Sequence, residues 1–217
     1  MGGGGCGGGA PGYPSDCEVT QGLRERAEAQ ERQPAARSYG WRANLARAAR
    51  IKLLLLDVDG VLTDGSIVYL PDGIETKSFS TRDGLGLRLL QQAGVVVGLI
   101  TARSSEVVQR RAENLGITLV YQGAGAKRAV YEKIIADLGL TPAQVAYMGD
   151  DWLDLPVMTR VGLAMAVADA APEVCEVAHY VTSRPGGRGA VREACDLIVE
   201  ALGKREELLA KYLDHGL

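Results

Sequence analysis

The feature that most constrains this chain is the run Ile51-Lys52-Leu53-Leu54-Leu55-Leu56, which stops abruptly in Asp57-Val58-Asp59-Gly60. An apolar run of this length ending in turn-formers reads as a strand buried on both faces, the kind found inside a parallel sheet covered by helices. Asp57 and Asp59 then stand at the carboxyl end of a central strand, the edge where open α/β sheets bind ligands. Two apart, they share a face of a regular strand, and Gly60 lets the chain turn away at once. Carboxylates this close repel unless a proton or cation stands between them; a hard cation with oxygen ligands, magnesium, answers that need. Taken alone, Asp-x-Asp is equally what a strand ending in a polar turn would show, so the rest of the chain has to decide.

Downstream, strand and helix patterns alternate. Ser66–Tyr69 and Glu75–Phe79 flank Leu70-Pro71-Asp72-Gly73, a hairpin signal that places a flap beside the acidic loop. Asp83 is predicted to cap a helix over 84–93, stopped by Gly94. Val95–Ile100 is a second buried strand with Thr101 at its tip. A helix capped by Ser104 or Ser105 runs to Gly116, and Thr118–Tyr121 is a third strand. Lys127 opens a helix carrying Val130, Ile134 and Leu138. Val145–Met148 is a fourth strand, ending in Gly149-Asp150-Asp151, and Leu163–Val167 a fifth. A short helix over 171–177, a strand tip at 180–181 and an amphipathic helix over 191–202 complete the pattern. The expected fold is α/β: a Rossmann-like parallel sheet with right-handed crossovers, helices on both faces, and a β-hairpin flap after the first strand.

Composition narrows the partners. The net charge of −3 supplies no basic field for nucleic acid or an anionic membrane. No apolar run reaches the ~18 residues of a membrane span, and no basic start followed by an apolar core suggests a signal peptide, so none is expected. Cys6, Cys17, Cys175 and Cys195 show no metal-binding spacing, and reduced thiols in a cytoplasm are expected. Eight of the first twelve residues are glycine. Residues 1–48 are expected to form a disordered or weakly ordered arm, weakly helical near 44–50, residues 49–203 the folded domain, and residues 204–217 a charged tail continuing as a fraying helix.

Polar groups thus gather at the strand tips: Asp57 and Asp59, Thr101, Lys127 nearby, and Asp150, Asp151 and Asp154. Each alone is what a cap or a turn looks like; together, on one sheet edge, they form a site for phosphoryl transfer. Asp57 is the candidate nucleophile and Asp59 the general acid and base. Asp57, Asp59 (through its carbonyl) and Asp150 are candidate metal ligands, with Asp151 and Asp154 behind them. Thr101 and Lys127 are placed to bind phosphoryl oxygens.

Asp57-Val-Asp59-Gly-Val, Leu-Ile-Thr101, Lys127 and Gly149-Asp150-Asp151-x-x-Asp154 resemble the four motifs of the haloacid dehalogenase-type phosphatases. Leu62-Thr63-Asp64-Gly65, Ser80-Thr81-Arg82-Asp83-Gly84, Thr101-Ala102-Arg103-Ser104 and Gly186-Gly187-Arg188-Gly189-Ala190-Val191-Arg192-Glu193 are similar to the 3-deoxy-D-manno-octulosonate 8-phosphate phosphatase family, in its capless branch; Ala102 stands where relatives often carry glycine. The resemblance implies a Mg2+-dependent phosphatase acting on a phosphorylated keto-sugar acid in lipopolysaccharide core synthesis. It also implies a homotetramer whose hairpins and C-terminal segments cover neighbouring sites. Arg82, Arg103 and Arg188 are the candidate contacts to the substrate carboxylate or hydroxyls, since a guanidinium suits bidentate recognition of a carboxylate. The alternatives are a nine-carbon sugar-acid phosphatase and a non-catalytic oligomerisation module.

Overall fold

The computed structural model describes residues 38–214. Helix α1 (Tyr39–Ala48) leads into β1 (Leu53–Leu56). A short hairpin of β2 (Val68–Tyr69) and β3 (Glu75–Thr76) follows, then α2 (Thr81–Gln92) and β4 (Val96–Ile100). Next come α3 (Glu106–Leu115), β5 (Leu119–Tyr121), α4 (Lys127–Asp137) and β6 (Val145–Gly149). A 3-10 turn at Trp152–Asp154 leads to α5 (Leu155–Met158), β7 (Leu163–Ala166), α6 (Pro172–Val177) and β8 (Tyr180–Val181). The chain closes with α7 (Ala190–Ala201) and α8 (Arg205–Asp214).

The sheet is parallel throughout, in the order β5-β4-β1-β6-β7-β8. From β1 the chain builds outward through β4 to β5, then returns to β6 on the other side of β1. The strand order therefore reverses at β1, and its carboxyl end opens on the crevice where ligands bind in such sheets. All four leucines of β1 are fully buried, each contributing about 1.5–3 kcal/mol over an exposed position. Strand alternation divides them: Leu54 and Leu56 pack with Leu87, Leu90, Val191 and Ile198, whereas Leu53 and Leu55 pack with Tyr131, Ile134, Val157 and Met158. Helices thus cover both faces. Between Asp59 and Thr101 the chain makes only the hairpin, α2 and β4, and between Thr101 and Lys127 only α3 and β5. No cap domain fits in either interval. Among the described residues no helix is long and apolar enough to cross a membrane.

Three expectations need correction. The helix after the hairpin starts at Thr81, because Ser80 is its cap: the Ser80 hydroxyl accepts from Asp83 N at 3.3 Å. Asp83 lies one turn inside and buried, and it caps the start of α7 instead, accepting from Gly189 N (3.1 Å) and Arg192 N (2.7 Å). In α4 the buried stripe is Lys127, Tyr131 and Ile134, and Leu138 is exposed; the i, i+4, i+7 set faces the sheet. The arm expected to extend to residue 48 gives way to α1, part of a compact unit that begins at Gly40. Trp41 is buried edge-on against Tyr180, with centroids 6.2 Å apart, and its Nε1 donates to Glu200. The rest of the arm lies outside the described residues. The tail is helical as expected: beyond the left-handed Gly203, α8 turns Leu208 into the core.

Candidate active site

Asp57 is the first residue past β1, and its N–H still donates to Met148 O at 3.0 Å, so the sheet fixes its backbone. One carboxylate oxygen accepts from Val58 N (2.7 Å). The other lies 2.7 Å from Lys127 Nζ. Lys127, almost wholly covered at the start of α4, also reaches Asp154 Oδ1 at 2.7 Å. Asp154 is completely buried, and both of its oxygens are engaged: Oδ1 accepts from Lys127 and from the Tyr147 hydroxyl (2.6 Å), Oδ2 from the amides of Asp150 (3.0 Å) and Asp151 (3.3 Å). It therefore fixes Lys127 and the loop after β6 at once. Asp151 is exposed and turns its carboxylate to its own 3-10 turn, accepting from Trp152 N; it serves as a helix cap.

The loops around these carboxylates close on glycines. Gly60 has φ +91°, and a Cβ there would lie 2.0 Å from Asp150 Oδ2, so a side chain would meet both strain and a clash. The Thr63 hydroxyl accepts from Gly60 N and Gly65 N and holds the turn. Gly186 presses on the same turn from the loop before α7: a Cβ would lie 1.7 Å from Gly60 O. Its neighbour Gly187 donates to Val61 O at 2.9 Å, and Gly186 N donates to Asp169.

Carboxylate oxygens of Asp57, Asp150 and Asp154 lie within 4.8 Å of one another. Burial, then the Asp154 carboxylate, raise the Asp57 pKa to about 6 against the opposing pull of Lys127. Burial, then the charges of Asp57 and Asp154, raise Asp150 to about 8. For Lys127, burial pulls the pKa down, but its two carboxylate neighbours outweigh it and hold it above the usual lysine range. Three acids thus share one ammonium, and Asp150 Oδ1 is buried with no hydrogen-bond partner. An unpartnered buried carboxylate oxygen beside a second carboxylate fits a hard divalent cation. Asp57 and Asp150 are the side chains that suit it; Asp154 is already satisfied by its own donors.

The sequence from Thr81 to Gly162 matches the family model described as haloacid dehalogenase-like hydrolase. Over 162 residues, 75% of this chain and 87% of the relative, it is 51% identical to the 3-deoxy-D-manno-octulosonate 8-phosphate phosphatase of Yersinia pestis. It is 48% identical to that of Escherichia coli over 163 residues, again 75% and 87% of the two chains. The chain belongs to the 3-deoxy-D-manno-octulosonate 8-phosphate phosphatase family of haloacid dehalogenase-like hydrolases. Solved structures of the family share its fold. The Yersinia pestis enzyme superposes with TM-score 0.74 at 50% identity over 76% of this chain and 89% of that one. The Moraxella catarrhalis enzyme, solved with a magnesium ion, a phosphate ion and a KDO molecule, superposes with TM-score 0.76 at 40% identity over 77% and 97%. The protein is therefore a phosphatase.

The remaining candidates are unequal within this candidate site. Thr101 is buried at the tip of β4, where its hydroxyl accepts from Arg103 N and its own N–H donates to Tyr121 O. Arg103 crosses to the hairpin, donating to Glu75 (2.7 Å) and to the Tyr69 hydroxyl (3.2 Å), with its Nε 3.8 Å from Asp59. These partners hold the Arg103 pKa above its ordinary value, Glu75 most of all. Arg188 is exposed, 3.8 Å from Asp64. Arg82 is exposed on the first turn of α2, and no ion pair joins it to the carboxylates. Of the three arginines, only Arg103 reaches the residues around Asp59.

Sequence reasoning missed Lys77, Glu75 and Tyr147. Lys77 pairs with the Asp59 carboxylate and with Glu75 (3.1 Å). A signal existed: Glu75 and Lys77 are two apart at the end of β3 and so share a face. Tyr147 also had one, being the polar-tipped residue of an otherwise apolar strand, two before Gly149.

Proposed function

We propose that this phosphatase hydrolyses 3-deoxy-D-manno-octulosonate 8-phosphate to the free sugar acid and inorganic phosphate, with Mg2+, through an aspartyl-phosphate on Asp57. The observation that carries the chemistry is the placement of Asp57: a carboxylate fixed at the end of the central strand, with the Lys127 ammonium 2.7 Å from one oxygen. The substrate comes from the family relatives, half of whose residues this chain shares.

The residues divide the reaction as follows. The Asp57 carboxylate attacks phosphorus in line with the leaving alcohol. Lys127 and the Thr101 hydroxyl bind the phosphoryl oxygens and offset the charge that develops there. Asp59 gives a proton to the leaving oxygen as the P–O bond breaks, then takes one from the water that attacks the aspartyl-phosphate. Asp57, Asp150 and the Asp59 carbonyl would hold Mg2+, which would supply charge neutralisation. Asp154, through Tyr147 and two backbone amides, keeps Lys127 and the β6 loop in place. Arg103 offers a guanidinium to the sugar-acid carboxylate.

Without a cap, the site needs cover from elsewhere. The hairpin exposes the apolar side chains of Ile67, Val68, Tyr69, Leu70 and Ile74, which suits burial against another copy. A homotetramer closing the site in this way, acting in the cytoplasm in lipopolysaccharide core synthesis, completes the proposal.

The test compares kcat/KM with Mg2+ for the eight-carbon sugar-acid phosphate, a nine-carbon sugar-acid phosphate and 4-nitrophenyl phosphate. A preference of about 100-fold or more for the eight-carbon ester, near what a few well-placed polar contacts supply, is expected. A preference for the nine-carbon ester would overturn the substrate, and absence of phosphate release from all three would overturn the chemistry.

A further inference from the structure

The hairpin after β1 has only two ladder residues on each strand, too few to be stable alone. Most of its side chains are exposed, yet the Lys77 side chain is fully covered. Lysine is almost never fully buried unless paired, and Lys77 is paired twice, with the Asp59 carboxylate and with Glu75 Oε1 at 3.1 Å. Glu75 in turn takes the Arg103 guanidinium, and the Arg103 backbone N–H donates to the Thr101 hydroxyl. The flap is thus clasped to two of the strand-tip loops, at Asp59 and at Thr101–Arg103, rather than to the core.

The link to Asp59 is the informative one. Asp57 is held on both oxygens by Val58 N and Lys127, and Asp154 by four donors. Asp59 has no donor from its own loop: one oxygen meets Lys77, and the other, buried, has only the Arg103 guanidinium at 3.8 Å. Its direction is therefore set by the flap.

We propose that Lys77 is a positioning residue for Asp59, orienting its carboxyl group toward the leaving oxygen during phosphoryl transfer. The inference rests on Asp59 being the acid and base of the reaction. As the bond between phosphorus and the leaving oxygen breaks, the Asp59 carboxyl proton passes to that oxygen. The carboxylate that remains faces the Lys77 ammonium. A bare structural staple would also explain the pairing, but it would act alike on every substrate, whereas an orienting group acts only where a proton must be delivered.

The experiment measures single-turnover release of the leaving group, with enzyme in excess and Mg2+ present. It uses the eight-carbon sugar-acid phosphate, whose alkoxide needs a proton, and 4-nitrophenyl phosphate, whose phenolate does not. Lys77→Met should slow release of the sugar acid by about 10- to 100-fold, part of the ~10²–10⁴ available from general acid catalysis. The same variant should slow the aryl ester by less than about threefold. Lys77→Arg should recover part of the loss, and adding Lys77→Met to Asp59→Asn should cost nothing further on the sugar phosphate. Equal losses on the two esters, or none, would overturn the role of Lys77. If Asp59→Asn itself fails to separate the two esters, the acid–base assignment falls, and the inference with it.

Discussion

Raising the pH from 6 to 8 should tighten Mg2+ binding by about 100-fold. A metal competes with protons on the carboxylates proposed to hold it. At pH 6, Asp150, with its pKa near 8, is about 99% protonated, and at pH 8 about half. Its ionisation accounts for a factor of about 50. Asp57, near 6, is half protonated at pH 6 and ionised at pH 8, a further factor of about 2. Calorimetric titration of metal-free protein, in buffers of different ionisation heat, should find about 1.5 protons released per ion at pH 6 and about 0.5 at pH 8. The same shifts govern stability without metal. Both groups have folded values above 3.8, so the unfolded chain loses its protons first. Their effect is absent below about pH 4. Above it, metal-free stability falls as pH climbs, through about 6 for Asp57 and about 8 for Asp150. Mg2+ should therefore raise Tm more at pH 8 than at pH 6. A Kd that moves by less than about threefold, with no proton release, would refute the claim that buried, mutually repelling carboxylates form the metal site.

Gly186→Ala should lower kcat by about 10²-fold, as a displacement near 1 Å at reacting groups does. Its Cβ would fall 1.7 Å from Gly60 O, and that backbone must move; a rate within about threefold of wild type would show that the acidic turn does not depend on this loop. Asp83→Asn should cost about 1–3 kcal/mol by breaking a buried carboxylate's two amide bonds, read as a fall in Tm of about 2–4 °C per kcal/mol. An unchanged Tm would mean that α7 needs no cap from α2.

The residues of the candidate site were legible because they stand where local patterns end. An apolar strand that stops in Asp57-Val58-Asp59-Gly60 announces its own edge, and Thr101, Lys127 and Asp150 follow the same rule in later units. Long-range partners were not legible. Ser80 and Asp83 are both good caps three residues apart, and what separates them is a contact from Asp83 to Gly189, 106 residues away. Trp41 lay in a stretch whose composition suggested no packing, and its partners Tyr180 and Glu200 come from the far end of the chain. Arg82, Arg103 and Arg188 looked equivalent as cations beside motifs; the hairpin distinguishes Arg103 by supplying Glu75 and Tyr69. Lys77 was invisible as a candidate because a single lysine in an exposed hairpin reads as solvated until the fold turns it inward.

The most direct test of the central claim is to find the phosphoryl group on Asp57. The eight-carbon sugar-acid phosphate, labelled with ³²P, would be mixed with excess enzyme and Mg2+, quenched in acid within one turnover and digested. The label should lie on the peptide containing Asp57 and be absent from Asp57→Asn, whose phosphate release should have fallen by more than about 10³-fold, as loss of a nucleophile does. Full turnover with no label on that peptide, or an Asp57→Asn variant releasing phosphate at near the wild-type rate, would contradict the account.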